Sequence, residues 1–197
     1  MAALRDLAHA MVNRYGSQDL GISGYPAELG LYLTVVKPFG LHREIEPGRF
    51  LVAESGYLVA EVRAVKQVGR NTFVMIDAGF NDLMRPAMYG AYHGMTLLDA
   101  NGQPVDRPRQ PTVVAGPLCE SGDVFTQDDQ ALTPQDLPQA QVGDLLVIHD
   151  AGAYGASMSS NYNSRPLLPE FLIENGALRM IRRRQTVQDL LSLEAGF

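Results

Sequence analysis

The chain has 197 residues, 46% hydrophobic and 19% charged, a balance that supports one buried core, or one domain with a piece of another. A formal net charge of −6, with Arg182-Arg183-Arg184 as the one basic run, argues against a nucleic-acid-binding surface. A single cysteine excludes an internal disulfide and an all-cysteine zinc site, and it points to a reducing, cytoplasmic setting.

From the amino end, Leu4, Leu7, Met11 and Val12 share one helical face over residues 2–15, and Gly16 supplies a stop. Arg5, Asp6 and His9 among those apolar residues are unlike a signal peptide. No apolar run approaches the roughly 20 residues that cross a bilayer, so a soluble protein is expected. Residues 17–41 are broken by Gly21, Gly24, Pro26, Gly30 and Pro38 and read as loop with short strand fragments. Beyond Ile45 the character changes. Residues 50–53, 58–68 and 73–77 read as strands. Pro86 after Arg85 marks a turn or a helix start.

Residues 99–111 carry Asn101-Gly102 and three prolines and read as a surface loop, as does the polar segment 126–141. Val113-Val114 form a strand before the cysteine, and Gly143-Asp144 open another at Leu145-Leu146-Val147-Ile148. Asn175-Gly176 between two apolar runs is a hairpin signal, because both residue types tolerate positive φ. Thr186 is positioned as the N-cap of a last helix, with Asp189 where a capping-box acid sits. Short strands with helices at the two ends define an α+β, mostly antiparallel β class.

Candidate chemistry lies in a few places. Glu46-Pro47-Gly48-Arg49 sets an acid and a guanidinium across a tight turn; taken alone it is a surface ion pair. Arg85 and Tyr89, four apart, project the same way from a helical turn, so the fork and the phenol could together grip a carboxylate. Cys119 precedes Glu120-Ser121-Gly122-Asp123 at a strand end, which favours an accessible thiol. An anionic neighbour suits such a thiol to proton donation rather than nucleophilic attack. The segment 152–166 is rich in glycine and small polar residues, which let backbone approach a ligand closely, and it carries Tyr154. His9, His42, His93 and His149 lack metal-ligand spacing, so no metal is expected. No serine has the context of a nucleophile elbow.

Taken in order, Glu46-Pro47-Gly48-Arg49, the segment 77–89, Cys119-Glu120-Ser121-Gly122-Asp123 and the segment 152–166 resemble the diaminopimelate decarboxylases, from about Ile45 to the end. That resemblance implies a pyridoxal 5'-phosphate carboxy-lyase of the alanine-racemase-like fold (fold type III), converting meso-2,6-diaminopimelate to L-lysine and CO2 in lysine biosynthesis. It assigns residues 45–197 to the carboxy-terminal β-barrel or sandwich domain, and residues 1–44 to a remnant of the amino-terminal (β/α)8 barrel.

By the same resemblance, Glu46, Pro47, Gly48, Arg49 and Tyr154 contact the cofactor, with Glu46 on its pyridine nitrogen. Arg49, Arg85, Tyr89, Glu120 and Tyr154 contact the substrate. Cys119 donates the proton, and Cys119 and Glu120 come from the opposite subunit of a homodimer with shared sites. The family's barrel also carries a cofactor-bonding lysine and a glycine-rich phosphate loop. This chain has only Lys37 and Lys66, and Gly21-Ile22-Ser23-Gly24-Tyr25-Pro26 lacks a run of three glycines. The chain therefore resembles a truncated member. Two further readings stay open: a non-catalytic β domain that binds and modulates a full-length homologue, and a decarboxylase of another basic amino acid, such as ornithine or arginine.

Overall fold

The computed structural model describes residues 48–128 and 131–194. The expected amino-terminal helix, the irregular stretch after it, Lys37, Glu46 and Pro47 lie outside the described residues. Eight strands follow in order: β1 (Leu58–Val68), β2 (Asn71–Ile76), β3 (Met95–Leu98), β4 (Arg109–Ala115), β5 (Gln135–Pro138), β6 (Leu145–Ile148), β7 (Glu170–Glu174) and β8 (Ala177–Arg182). Among the described residues three short α-helices accompany them: α1 (Gly48–Val52), α2 (Arg85–Tyr89) and α3 (Val187–Leu190).

The first six strands make one sheet in the order β3-β6-β1-β2-β4-β5. Four of its five pairings are antiparallel; β2 and β4 run parallel. The two edge strands, β3 and β5, approach each other, and Gln135 at the start of β5 donates to the His93 carbonyl just before β3 at 2.8 Å. The sheet thus curls nearly closed, which leaves little open edge. Period-two alternation explains its inside: Ala60 and Val62, Val74 and Ile76, Leu146 and Ile148 point inward and are buried together with Leu97, Val114 and Leu137. A register shift between Val62 and Ala64 marks a bulge where β1 bends across β2.

The hairpin of β7 and β8 turns on Asn175 (φ 51°) and Gly176 (φ 77°), both left-handed as a two-residue turn of this kind requires. The capping box also holds. Thr186 Oγ1 accepts the Asp189 N–H, and Asp189 accepts the Thr186 N–H at 2.7 Å.

Three expectations need correction. Residues 50–53 are not a strand but the end of α1 and the start of a 3-10 turn (Ala53–Ser55). Four apolar residues in a row carry no period; the deciding pattern is Arg49 and Ala53, four apart and both buried, with Leu51 and Val52 exposed. The loop expected over 99–111 ends at Arg109, where β4 begins. Pro111 is tolerated there because the ladder to β2 starts only at Thr112. The loop expected over 126–141 contains β5, an edge strand ending in proline.

Candidate active site

Three separated segments converge at the carboxyl end of β2. The first runs from Asp77 into α2. Pro86 fits the first helical turn, and Gly90 closes α2 in the left-handed conformation at φ 60°. Arg85, buried at the start of α2, is placed with its Cζ 5.6 Å from the Tyr89 ring centroid and 5.5 Å from that of Tyr154. One guanidinium therefore touches two exposed phenols, one from its own helix and one from the 152–166 segment.

Tyr154 stands at φ 59°, an unusual backbone state for a residue with a large side chain. The chain around it is pinned to the 3-10 turn that follows α1. Gly152 donates to the Ala53 carbonyl at 3.0 Å, and Ala151 donates to the Gly56 carbonyl at 2.9 Å. A Cβ at Gly152 would lie 2.0 Å from the Val52 carbonyl oxygen, and one at Gly155 would lie 2.3 Å from that of Ala151. The glycines of this segment admit close approach of the chain to itself, where the sequence suggested approach to a ligand. The contact also ties Tyr154 to the short helix that carries the buried Arg49.

The second segment, residues 116–123, carries Cys119 and Glu120, both exposed. Glu120 accepts only local hydrogen bonds, from Ser121 Oγ at 3.2 Å and the Gly122 N–H at 3.3 Å. The buried acid of this box is Asp123, 3% exposed. It accepts the Phe80 N–H and the Leu118 N–H, each at 2.7 Å. Asp82 is likewise buried and accepts the Gly79 N–H at 3.0 Å and an Asn81 side-chain N–H at 3.0 Å. Burial pushes both carboxyls above the ordinary aspartate value, against the pull of their N–H donors and of the Arg165 guanidinium.

The third segment closes over these two. Ser160 donates to the Asn81 carbonyl at 2.8 Å, Arg165 donates to the Asp77 carbonyl at 2.7 Å, and the Tyr162 ring lies 4.8 Å from that of Phe80.

Of the residues expected at a site, the structure brings Tyr89 and Tyr154 against Arg85 and packs the end of the helix of Gly48 and Arg49 against Gly152, two residues before Tyr154. Cys119 and Glu120 sit on an exposed loop that Asp123 ties to the segment leading into α2. Asp82, Asp123 and Arg165 are the structural residues that sequence reasoning passed over. For Asp82 and Asp123 the one visible signal was an acid directly after asparagine or glycine in a turn-rich stretch; Arg165 had none. Among the described residues no group of three His, Cys, Asp or Glu could hold a metal, and no helix is long and apolar enough to cross a membrane.

A guanidinium between two phenols, with a second buried guanidinium on the helix whose end meets Gly152, is chemistry for an anionic group such as a carboxylate or phosphate. The donor set therefore fits the anionic arms of a pyridoxal phosphate and an amino acid. It offers no amine. Lys66, the one lysine among the described residues, lies on β1 opposite Phe73, roughly 13 Å along the strand from Asp77.

A curled, mostly antiparallel sheet bearing an anion grip on its loops is the architecture of a known domain. The chain belongs to the pyridoxal-dependent decarboxylases: their C-terminal sheet domain matches residues 22–152. Within that family it is similar to diaminopimelate decarboxylases. The enzyme of Escherichia coli K12 is 64% identical over 153 residues, covering 77% of this chain and 36% of the relative. That of Streptomyces coelicolor is 63% identical over 152 residues, covering 77% and 34%. A crystal structure of a diaminopimelate decarboxylase superposes with a TM-score of 0.73 at 55% identity, covering 88% of this chain and 44% of that one. The Helicobacter pylori enzyme complexed with L-lysine superposes at 0.66 and 33% identity, covering 98% and 48%. The chain spans about a third of the length of these curated relatives.

Proposed function

We propose that this chain supplies the carboxy-terminal half of a diaminopimelate decarboxylase site, which releases CO2 from meso-2,6-diaminopimelate and leaves L-lysine. The observation that carries the reading is the meeting of two distant segments at Arg85, with Tyr89 and Tyr154 against its guanidinium. The solved complexes of the H. pylori and M. jannaschii decarboxylases with L-lysine support a basic amino acid as the occupant. Bound pyridoxal phosphate supplies an electron sink for the carbanion that decarboxylation creates.

The residues of this chain then divide the remaining work. Arg85 grips a carboxylate of the amino acid, and Tyr89 and Tyr154 orient it. Glu46, Pro47, Gly48 and Arg49 line the cofactor end, with Glu46 on the pyridine nitrogen. Cys119 delivers the proton, and Glu120 meets the distal amino-acid end. In this reading residues 45–197 are the β domain, residues 1–44 belong with a barrel, and the working form is a cytoplasmic homodimer or mixed dimer with shared sites.

Complementation tests this. The chain is mixed with a full-length diaminopimelate decarboxylase disabled only at its own proton-donor cysteine, and CO2 release is measured. Restored release that disappears with Cys119→Ala is the expected result. No gain over the disabled enzyme would overturn the proposal, and binding without any gain would leave a non-catalytic partner domain in its place.

A further inference from the structure

Asp123 does more than fill a turn. Its carboxylate is almost wholly buried, yet both oxygens are used, Oδ1 by the N–H of Phe80 and Oδ2 by the N–H of Leu118. Phe80 belongs to the segment that leads into α2. Leu118 immediately precedes Cys119 and Glu120. The backbone of Asp123 closes the same loop, donating to the Glu120 carbonyl at 3.1 Å and accepting the Gly116 N–H at 2.9 Å. The fit leaves no slack: a Cβ at Gly116 would lie 2.2 Å from Oδ2 and 2.5 Å from Oδ1. Gly116 has no left-handed φ, and the three atoms nearest a Cβ there all belong to the Asp123 carboxyl group, so it is the carboxylate that makes alanine unwelcome.

We propose that Asp123 is a positioning residue, whose carboxylate, seated against Gly116, locks the Cys119-Glu120 loop to the segment carrying Arg85 and Tyr89. The significance of this lock for decarboxylation rests on the reading above; the lock itself does not. Asparagine keeps the shape of Asp123 but turns an N–H toward one of the two donors, so Asp123→Asn should release one arm. Gly116→Ala should release the same loop by displacing the carboxylate, with the acid still in place.

The test is amide hydrogen exchange on the full chain without cofactor, together with the line shape of a nitroxide attached to Cys119, the chain's one cysteine. In Asp123→Asn and in Gly116→Ala, the Phe80 and Leu118 amides should exchange at least about tenfold faster. The nitroxide should become more mobile, while Val62 and Val74 in the sheet keep wild-type protection. In an Asp123→Ala background, adding Gly116→Ala should change nothing further, because the clashing group is gone. Unchanged exchange at both amides, acceleration only together with the sheet amides, or an undiminished effect of Gly116→Ala in the Asp123→Ala background would each overturn the proposal. None of these readings depends on turnover, so failed complementation and a failed lock are told apart.

Discussion

Gly152→Ala tests the contact that ties Tyr154 to α1. The new Cβ would stand 2.0 Å from the Val52 carbonyl oxygen, 2.8 Å from the Gly56 nitrogen and 2.8 Å from Ser55 Oγ. The first two are backbone atoms that cannot swing aside, and ordinary contact demands a retreat of roughly 1.4 Å. A shift of that size breaks the bonds from Gly152 to Ala53 and from Ala151 to Gly56, each worth about 1 kcal/mol net. Adding modest overpacking strain, the cost is about 2–3 kcal/mol. For a chain of this length that lowers the melting temperature by roughly 5–10 °C. The matching control is Gly122→Ala in the cysteine box, where a Cβ meets nothing within 4 Å; it should stay within about 0.5 kcal/mol of wild type. Thermal unfolding and exchange of the Ala151 and Gly152 amides provide the assay. A melting temperature for Gly152→Ala equal to that of Gly122→Ala, with both amides still protected, would refute the reasoning.

Other perturbations follow from the same structure. Arg107 forks onto the buried Asp144 at 2.7 and 2.8 Å, so Arg107→Ala should cost about 2–3 kcal/mol in urea unfolding, discounted for the partly exposed arginine. Burial pushes the Asp144 carboxyl up, but the Arg107 fork and the Gln141 N–H outweigh it and hold it below the ordinary value. That contribution is present above the unfolded aspartate pKa and lost as pH falls through the folded one, so the Arg107→Ala penalty should shrink in acid. Asp82 has the opposite sign. Its folded value is raised, so wild type loses stability as pH rises through it, and the stability of Asp82→Asn relative to wild type should climb from about pH 4 upward. In the complemented enzyme, Arg85→Met should raise KM for diaminopimelate at least about tenfold, because a charge-assisted grip on a carboxylate is lost. An unchanged KM would remove Arg85 from the substrate site.

Much of the sheet was legible because alternation and turn chemistry act locally. β1 and β6 begin and end where their apolar runs do, and Asn175-Gly176 and Thr186-Asp189 dictate a turn and a cap with no help from the rest of the fold. β5 and the first part of β4, before Val113-Val114, were hidden for the opposite reason. Their prolines sit at ladder positions that need no N–H, and that depends on which neighbour lies on which side. The site divides in the same way. Arg85 and Tyr89 share a helical face by spacing alone. The role of Asp123 depends on Phe80, 43 residues away, and so became visible only once the loops were placed.

The placement of charge argues that the described part of the chain is built to complete a site. Arg85 and Arg49 are held buried by packing, α2 by a proline start and a left-handed glycine end, and α1 by the Gly152 contact. Holding guanidinium groups out of water is unfavourable unless anionic or aromatic partners compensate, and Tyr89 and Tyr154 supply aromatic compensation for Arg85. An anion arriving between these groups would meet donors already oriented, with little ordering left to do. Among the described residues the same region provides no lysine, since Lys66 stays on the exposed part of the β1–β2 hairpin. Grip and amine are thus separated in space, and a surface that provides only the first is suited to closing over a cofactor that another part of the fold holds.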